Sequence, residues 1–128
     1  MTNNSTLSSQ VAVILDALCF LPGRRGISVQ SRRYPRLLAA ESGLGFEQRN
    51  WSFDGERAPS EVTIPSDAEE VRVTWVGKSS AQTQIHASLT AAMTGMLPSS
   101  SHWDFQIFTR RNGPNDSDLI VEVFQNFL

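Results

Sequence analysis

The chain carries a single cysteine and two histidines in 128 residues. One thiol excludes an intrachain disulfide, so cysteine usage lends no support to an oxidising compartment. Cys19, His86 and His102 have no paired spacing, and a structural zinc site needs four ligands, so no metal is expected. No apolar run approaches the length of a membrane-spanning helix, and no membrane association is expected. Val11 to Leu21 is largely apolar but is interrupted by Asp16 and preceded by no basic residue, which argues against a signal peptide. The expected setting is therefore cytoplasmic. A Walker phosphate loop, Gly-x-Gly-x-x-Gly, Gly-x-Ser-x-Gly and His-Glu-x-x-His are all absent, which lowers the expectation of a familiar cofactor enzyme. No cofactor is expected, although a missing motif does not exclude catalysis.

What is present suits one ordinary domain spanning residues 1–128, since 40% apolar residues suffice for a single core. The formal charge of −2 conceals an asymmetry. Residues 1–50 hold six arginines against three carboxylates, a balance of +3, and the remainder holds five basic against ten acidic residues, a balance of −5. A basic first half suggests a surface for phosphate or an acidic partner; the alternative is that the two halves pack with complementary faces.

The stretch from Ala68 to Phe124 has the clearest periodicity. Val71, Val73 and Trp75 alternate with polar residues, the pattern of a half-buried strand. Ser79 and Gln82 have capping-box spacing, and Ile85, Leu89, Ala92 and Met96 then form one face of a helix over about 80–97. Trp103, Phe105 and Ile107, and later Leu119, Val121 and Val123, alternate as a pair of strands. Residues 110–118 hold turn formers and charge but no large apolar side chain, which predicts a long, solvated hairpin tip.

Upstream, Leu7, Val11, Ile14, Leu18 and Leu21 fall on one helical face, after residues 1–6 that read as frayed. Pro22-Gly23 stops that helix, and Cys19 within it reads as a small buried hydrophobe. Ile27 and Val29 suggest a short edge strand, and Tyr34-Pro35 a helix entry with a brief helix over 36–41. Residues 46–53 and 61–64 flank Asp54-Gly55 as a hairpin, its second strand held to an edge by Pro59 and Pro65. The expected fold is α+β: an antiparallel sheet of about five strands packed on one face by the N-terminal helix and the helix at about 80–97.

Candidate functional residues fall into two sets. Arg24, Arg25, Arg32, Arg33 and Arg36, with Arg110, Arg111, Asp116 and Asp118 at the hairpin tip, are candidates for binding a partner, although charge on an edge strand also discourages aggregation. If the chain is an enzyme, His86, His102 and Asp104 are the acid-base candidates, provided that helix and strand bring them together. The leading reading is a non-catalytic protein-protein interaction module of the inhibitor, immunity-protein or secretion-chaperone kind. Its partner would be another protein, with homodimerisation through the first helix or a sheet edge as a further option. The alternative is a small cofactor-free enzyme or ligand carrier with an apolar pocket and a His/carboxylate pair. A third is nucleic-acid binding through the arginine-rich segment 24–36, against which the acidic second half argues.

Overall fold

The computed structural model describes residues 6–19, 21–33, 47–54, 62–66, 68–78, 82–95, 97 and 102–126. Its elements run α1 (Leu7–Cys19), β1 (Arg24–Arg33), β2 (Glu47–Asp54), β3 (Glu70–Gly77), α2 (Gln82–Gly95), β4 (Asp104–Gly113) and β5 (Asp116–Asn126). The five strands form one sheet of order β2-β1-β3-β5-β4, with every pairing antiparallel. This is the expected α+β architecture.

Each element follows from local chemistry. Thr6 caps α1: its hydroxyl accepts the Ser9 N–H at 3.1 Å, and its carbonyl accepts the Gln10 N–H at 3.0 Å. Val11, Ile14 and Leu18 are buried as the periodicity requires, joined by Leu15. Gln10 is buried too, and the Trp103 indole donates to its Oε1 at 2.7 Å, tying α1 to the approach of β4. In the central strand, Val71, Val73 and Trp75 have no exposed surface. With Ile27, Val29, Val121 and Val123 they form the helix-facing side of the sheet, on which Ile85 and Leu89 of α2 are buried. Fully burying each such side chain contributes roughly 1.5–3 kcal/mol.

Three expectations are corrected. β1 is a ten-residue interior strand rather than a short edge, hydrogen-bonded to β2 on one side and β3 on the other. Its arginines sit toward its ends while Ile27, Val29 and Ser31 face the core, so terminal charge disguised a central strand. Residues 62–65 form no strand; Val62 and Ile64 are buried individually, and the Ile64 N–H donates to Ser8 Oγ at 2.9 Å. β2 pairs with β1, and among the described residues no strand pairs with it across Asp54-Gly55. The long tip at 110–118 is also absent. The ladder continues through Arg110↔Asp118 and Arg111↔Ser117, and only Pro114-Asn115 separate the strands. Proline suits the second position of such a turn because its φ is preset. The proposed helix over 36–41, Ser79 of the capping box, Met96, and the ends at residues 1–5 and 127–128 lie outside the described residues.

Candidate functional site

Strand alternation divides the sheet into two faces. From Gly26 onward, beyond the register shift at the start of β1, the even residues of the five strands lie opposite both described helices, in rows that cross the sheet. One row is Asn50, Gln30, Arg72, Phe124 and Asp104; the next is Ser52, Ser28, Thr74, Glu122 and Gln106; the third includes Gly26, Val76, Ile120 and Phe108. Several side chains in and beside the first two rows are hydrogen-bonded to one another. Gln30 and Gln48 amides donate to Asn50 Oδ1 at 3.4 and 3.1 Å, and Arg32 Nε donates to Gln48 Oε1 at 3.0 Å. Across β3, β5 and β4, Glu122 accepts from Arg72 at 3.1 Å and from Gln106 at 2.8 Å. The Arg72 guanidinium also stands 6.0 Å from the Phe124 ring centroid. The third row is apolar. Ile120 is only 3% exposed although it lies outside the main core, and Phe108, at the sheet margin, is 40% exposed.

Beyond that row lies a charged end centred on Asp118, which is 4% exposed. Charged side chains, rather than apolar core, cover it. Its Oδ1 accepts from Arg25 at 2.9 Å and lies 3.0 Å from Lys78 Nζ; its Oδ2 accepts from Arg110 at 3.1 Å and from the Asn112 amide at 2.7 Å. The Asn112 bond, followed by Lys78 and Arg110, holds the Asp118 carboxyl far below the ordinary carboxylate range. Lys78 also donates to Asp116 and, at 2.7 Å, to the Ser117 carbonyl. This bond lowers the Asp116 pKa, while the two aspartates raise that of Lys78. Lys78 is the chain's only lysine.

Backbone geometry places that lysine. Gly23 has φ +79°, and its carbonyl accepts the Lys78 N–H at 2.9 Å. A Cβ on Gly77 would meet the same Gly23 carbonyl and, at 2.5 Å, Cη2 of Trp75. The β1 entry and the β3 exit can approach this closely only because both residues are glycine. The hairpin rungs Arg110↔Asp118 and Arg111↔Ser117 continue past the last β3 pairing, Gly77↔Leu119, and Lys78 and Arg25 tie them to the body of the sheet.

Of the residues singled out in the sequence, Arg25, Arg110, Asp116 and Asp118 converge here, although Arg25 and Asp118 are far apart in the chain. Arg25 and Arg110 keep 57% exposed side chains, so each guanidinium retains surface for a further contact. Arg111 lies beside the cluster and donates to the Pro114 carbonyl at 3.2 Å. Arg24 turns toward α1 and donates to Cys19 Sγ at 3.4 Å. Arg32 and Arg33 stand at the other end of β1, roughly 23 Å from Arg25 at strand spacing, so the arginines of this segment do not converge on one anion. Arg32 joins the face opposite the described helices through Gln48 and Glu70, and Arg33 alternates to the helix-facing side. Arg36 lies outside the described residues. Sequence reasoning missed Lys78 and Asn112, which supply much of the hydrogen bonding to Asp118. The available signal was opposite charge on the two sides of Pro114-Asn115: Arg110 and Asp118 are cross-strand partners in a short-turn hairpin.

The acid-base candidates are not brought together. His86 packs edge-on against Phe105, ring centroids 5.2 Å apart, on the helix-covered side. Asp104 is exposed on the face opposite the described helices, its Oδ1 accepting the Phe105 N–H at 2.8 Å, and exposed His102 precedes the strand with φ 55°. The sheet separates the imidazole of His86 from the carboxylate it would need. Cys19 is partly buried, and burial pushes its thiol pKa up against the opposing influence of Arg24. Among the described residues no group of three potential ligands could hold a metal ion, and no helix is long and apolar enough to cross a membrane. Comparison with protein-family models, with curated proteins and with solved structures finds no match to this chain.

Proposed function

We propose that this chain is a protein-protein interaction module, of the inhibitor, immunity-protein or secretion-chaperone kind, which engages another protein through the face of its sheet opposite the described helices. The observation that carries this reading is the state of that face. Cross-strand hydrogen bonds hold Gln30, Gln48, Asn50, Arg72, Gln106 and Glu122 in fixed positions, beside an apolar row ending at exposed Phe108. Ordering long polar side chains before binding removes part of the entropic cost that association otherwise carries. A row of ordered polar side chains with an exposed aromatic at its margin and a charged end resembles the polar rim and aromatic anchors of a protein-protein interface.

Charge indicates what meets the far end. Arg25, Lys78, Arg110 and Arg111 outnumber Asp116 and Asp118 there, so the end has a local charge of +2 and favours acidic side chains on the partner. The test is affinity capture from the source cells with the wild type and with an Arg25→Ala/Arg110→Ala variant, followed by calorimetry with the purified partner. The expected result is one stoichiometric protein partner whose affinity falls about tenfold or more in the variant, as loss of two charged contacts implies. Equal affinity for the two proteins, or a partner footprint confined to the helical side in hydrogen exchange, would refute the reading.

A further inference from the structure

We propose that two copies of this chain associate through the outer edge of β4, in antiparallel register centred on Ile107, to give one continuous sheet. Among the described residues β2 and β4 are the two edge strands. In β2 the charged Arg49 falls inside the strand and leaves only the four uncharged residues Asn50 to Phe53, and charge on an edge deters pairing with another chain. β4 has a bulge between Arg111 and Gly113, but from Phe105 to Thr109 it has no charge, no proline, no glycine and no register shift. Among the described residues no strand pairs with that edge. An unprotected run of β-prone residues is a template for strand addition.

The charge pattern selects a second copy as occupant. Asp104 and Arg110 lie on the same face of β4, three residues to either side of Ile107. Antiparallel pairing about Ile107 sets each Asp104 opposite Arg110 of the other copy, forming two equivalent ion pairs, and sets Phe105 opposite Thr109. Among the described residues no basic side chain pairs with Asp104, and Arg110 is 57% exposed beside Asp118. Gln106 then faces Phe108 of the second copy, which makes the two Phe108 rings diagonal neighbours, at a separation aromatic side chains can span. Phe108 is the large apolar side chain standing 40% exposed.

The helix above the edge is compatible with such a neighbour. The His86 contact with Phe105 places α2 over β4. α2 contains no charged residue, and on its exposed side the Thr90 and Thr94 hydroxyls donate back to the carbonyls of His86 and Thr90 at 2.9 and 2.8 Å. With their hydroxyls satisfied within the helix, these residues present methyl groups and no ionic group that would have to lose its water.

Joining sheets edge to edge does not cover the face opposite the described helices, but Arg110 enters both contacts, so the dimer is tested with β4 variants that leave Arg110 in place. The test is sedimentation equilibrium of the full chain with three variants. The wild type is expected to dimerise. Asp104→Arg, which opposes like charges twice, is expected to weaken the dimer about tenfold or more. Thr109→Lys, adding an edge charge without touching Asp104, should act the same way, and Ser52→Lys on β2 should leave the dimer intact. In a Cys19→Ser background, Ile107→Cys should form an intermolecular disulfide on mild oxidation, since Ile107 is the residue that faces its own copy. A wild type that is monomeric at its highest soluble concentration overturns the proposal. So does a dimer unaffected by both β4 charge variants while their circular dichroism remains native. Cross-linking through Phe108→Cys in place of Ile107→Cys overturns the register.

Discussion

Replacing Gly77 with alanine tests the contact on which the charged end depends. The added Cβ falls 2.5 Å from Trp75 Cη2 and against the Gly23 carbonyl oxygen. Carbon atoms in contact sit about 3.5–4.0 Å apart, so the ring would have to retreat by about 1 Å. It has no room: Trp75 is 0% exposed in the central strand. The other neighbour is backbone, and the same Gly23 carbonyl accepts the Lys78 N–H at 2.9 Å. Overpacking a core costs roughly 1–3 kcal/mol, and a strained or lost backbone hydrogen bond adds about 1 kcal/mol, giving about 2–4 kcal/mol in all. At a urea dependence of about 2 kcal/mol per molar, the midpoint should fall by roughly 1 to 2 M. Intrinsic tryptophan fluorescence and far-ultraviolet circular dichroism report the transition. Trp75→Phe in the same chain removes Cη2, so the double variant should be less destabilised than the two single changes added together, while the Gly23 clash persists. A Gly77→Ala midpoint within 0.5 kcal/mol of wild type, or strict additivity in the cycle, would show that β1 and β3 do not approach here as described.

Three further outcomes follow from the same geometry. Trp75→Ala should cost about 3–5 kcal/mol. Trp75→Phe should cost much less, because among the described residues no acceptor reaches the buried indole Nε1 and its removal offsets part of the lost volume; equal losses in the two variants, read from urea midpoints, would contradict this. The folded Asp118 pKa lies below its ordinary 3.8, so its contribution to stability is present above that pH and is lost as pH falls toward the folded value. Asp118→Asn should therefore be less stable than wild type at pH 7, with a shallower loss of urea midpoint below pH 3.8; parallel curves would remove the carboxylate from its place among Arg25, Lys78 and Arg110. Burial raises the Cys19 pKa above 9.0, so the native thiol should react with an alkylating reagent at pH 8 more slowly than the urea-unfolded chain, and equal rates measured by mass spectrometry would put the thiol in open solvent.

Much of the architecture is legible in the order of residues because the decisive signals are local. Alternation at Val71, Val73 and Trp75 needs only one strand with one buried side, and the four-three-four spacing from Leu7 to Leu18 needs only one helix with one buried stripe. The hairpin from Trp103 to Phe124 belongs to the same class, since its two halves are neighbours in the chain. Reading was poorest where identity depends on a distant partner. The ends of β1 look like an exposed edge when taken alone, yet β2 and β3 flank it on both sides. Residues 110–118 look like a solvated loop until Arg110 is set opposite Asp118.

What the sequence alone determined is thus the set of amphipathic segments, whose periods reflect the geometry of single elements. Tertiary structure decided which strand lies in the interior, which face lies opposite the described helices, and how Arg25, Lys78, Arg110 and Asn112 come to share one carboxylate. That assembly depends on two glycines letting β1 and β3 approach at one end. Pairwise proximity between segments separated by many residues leaves no periodic trace in the chain, because it is set by strand order and register rather than by the spacing of neighbouring side chains.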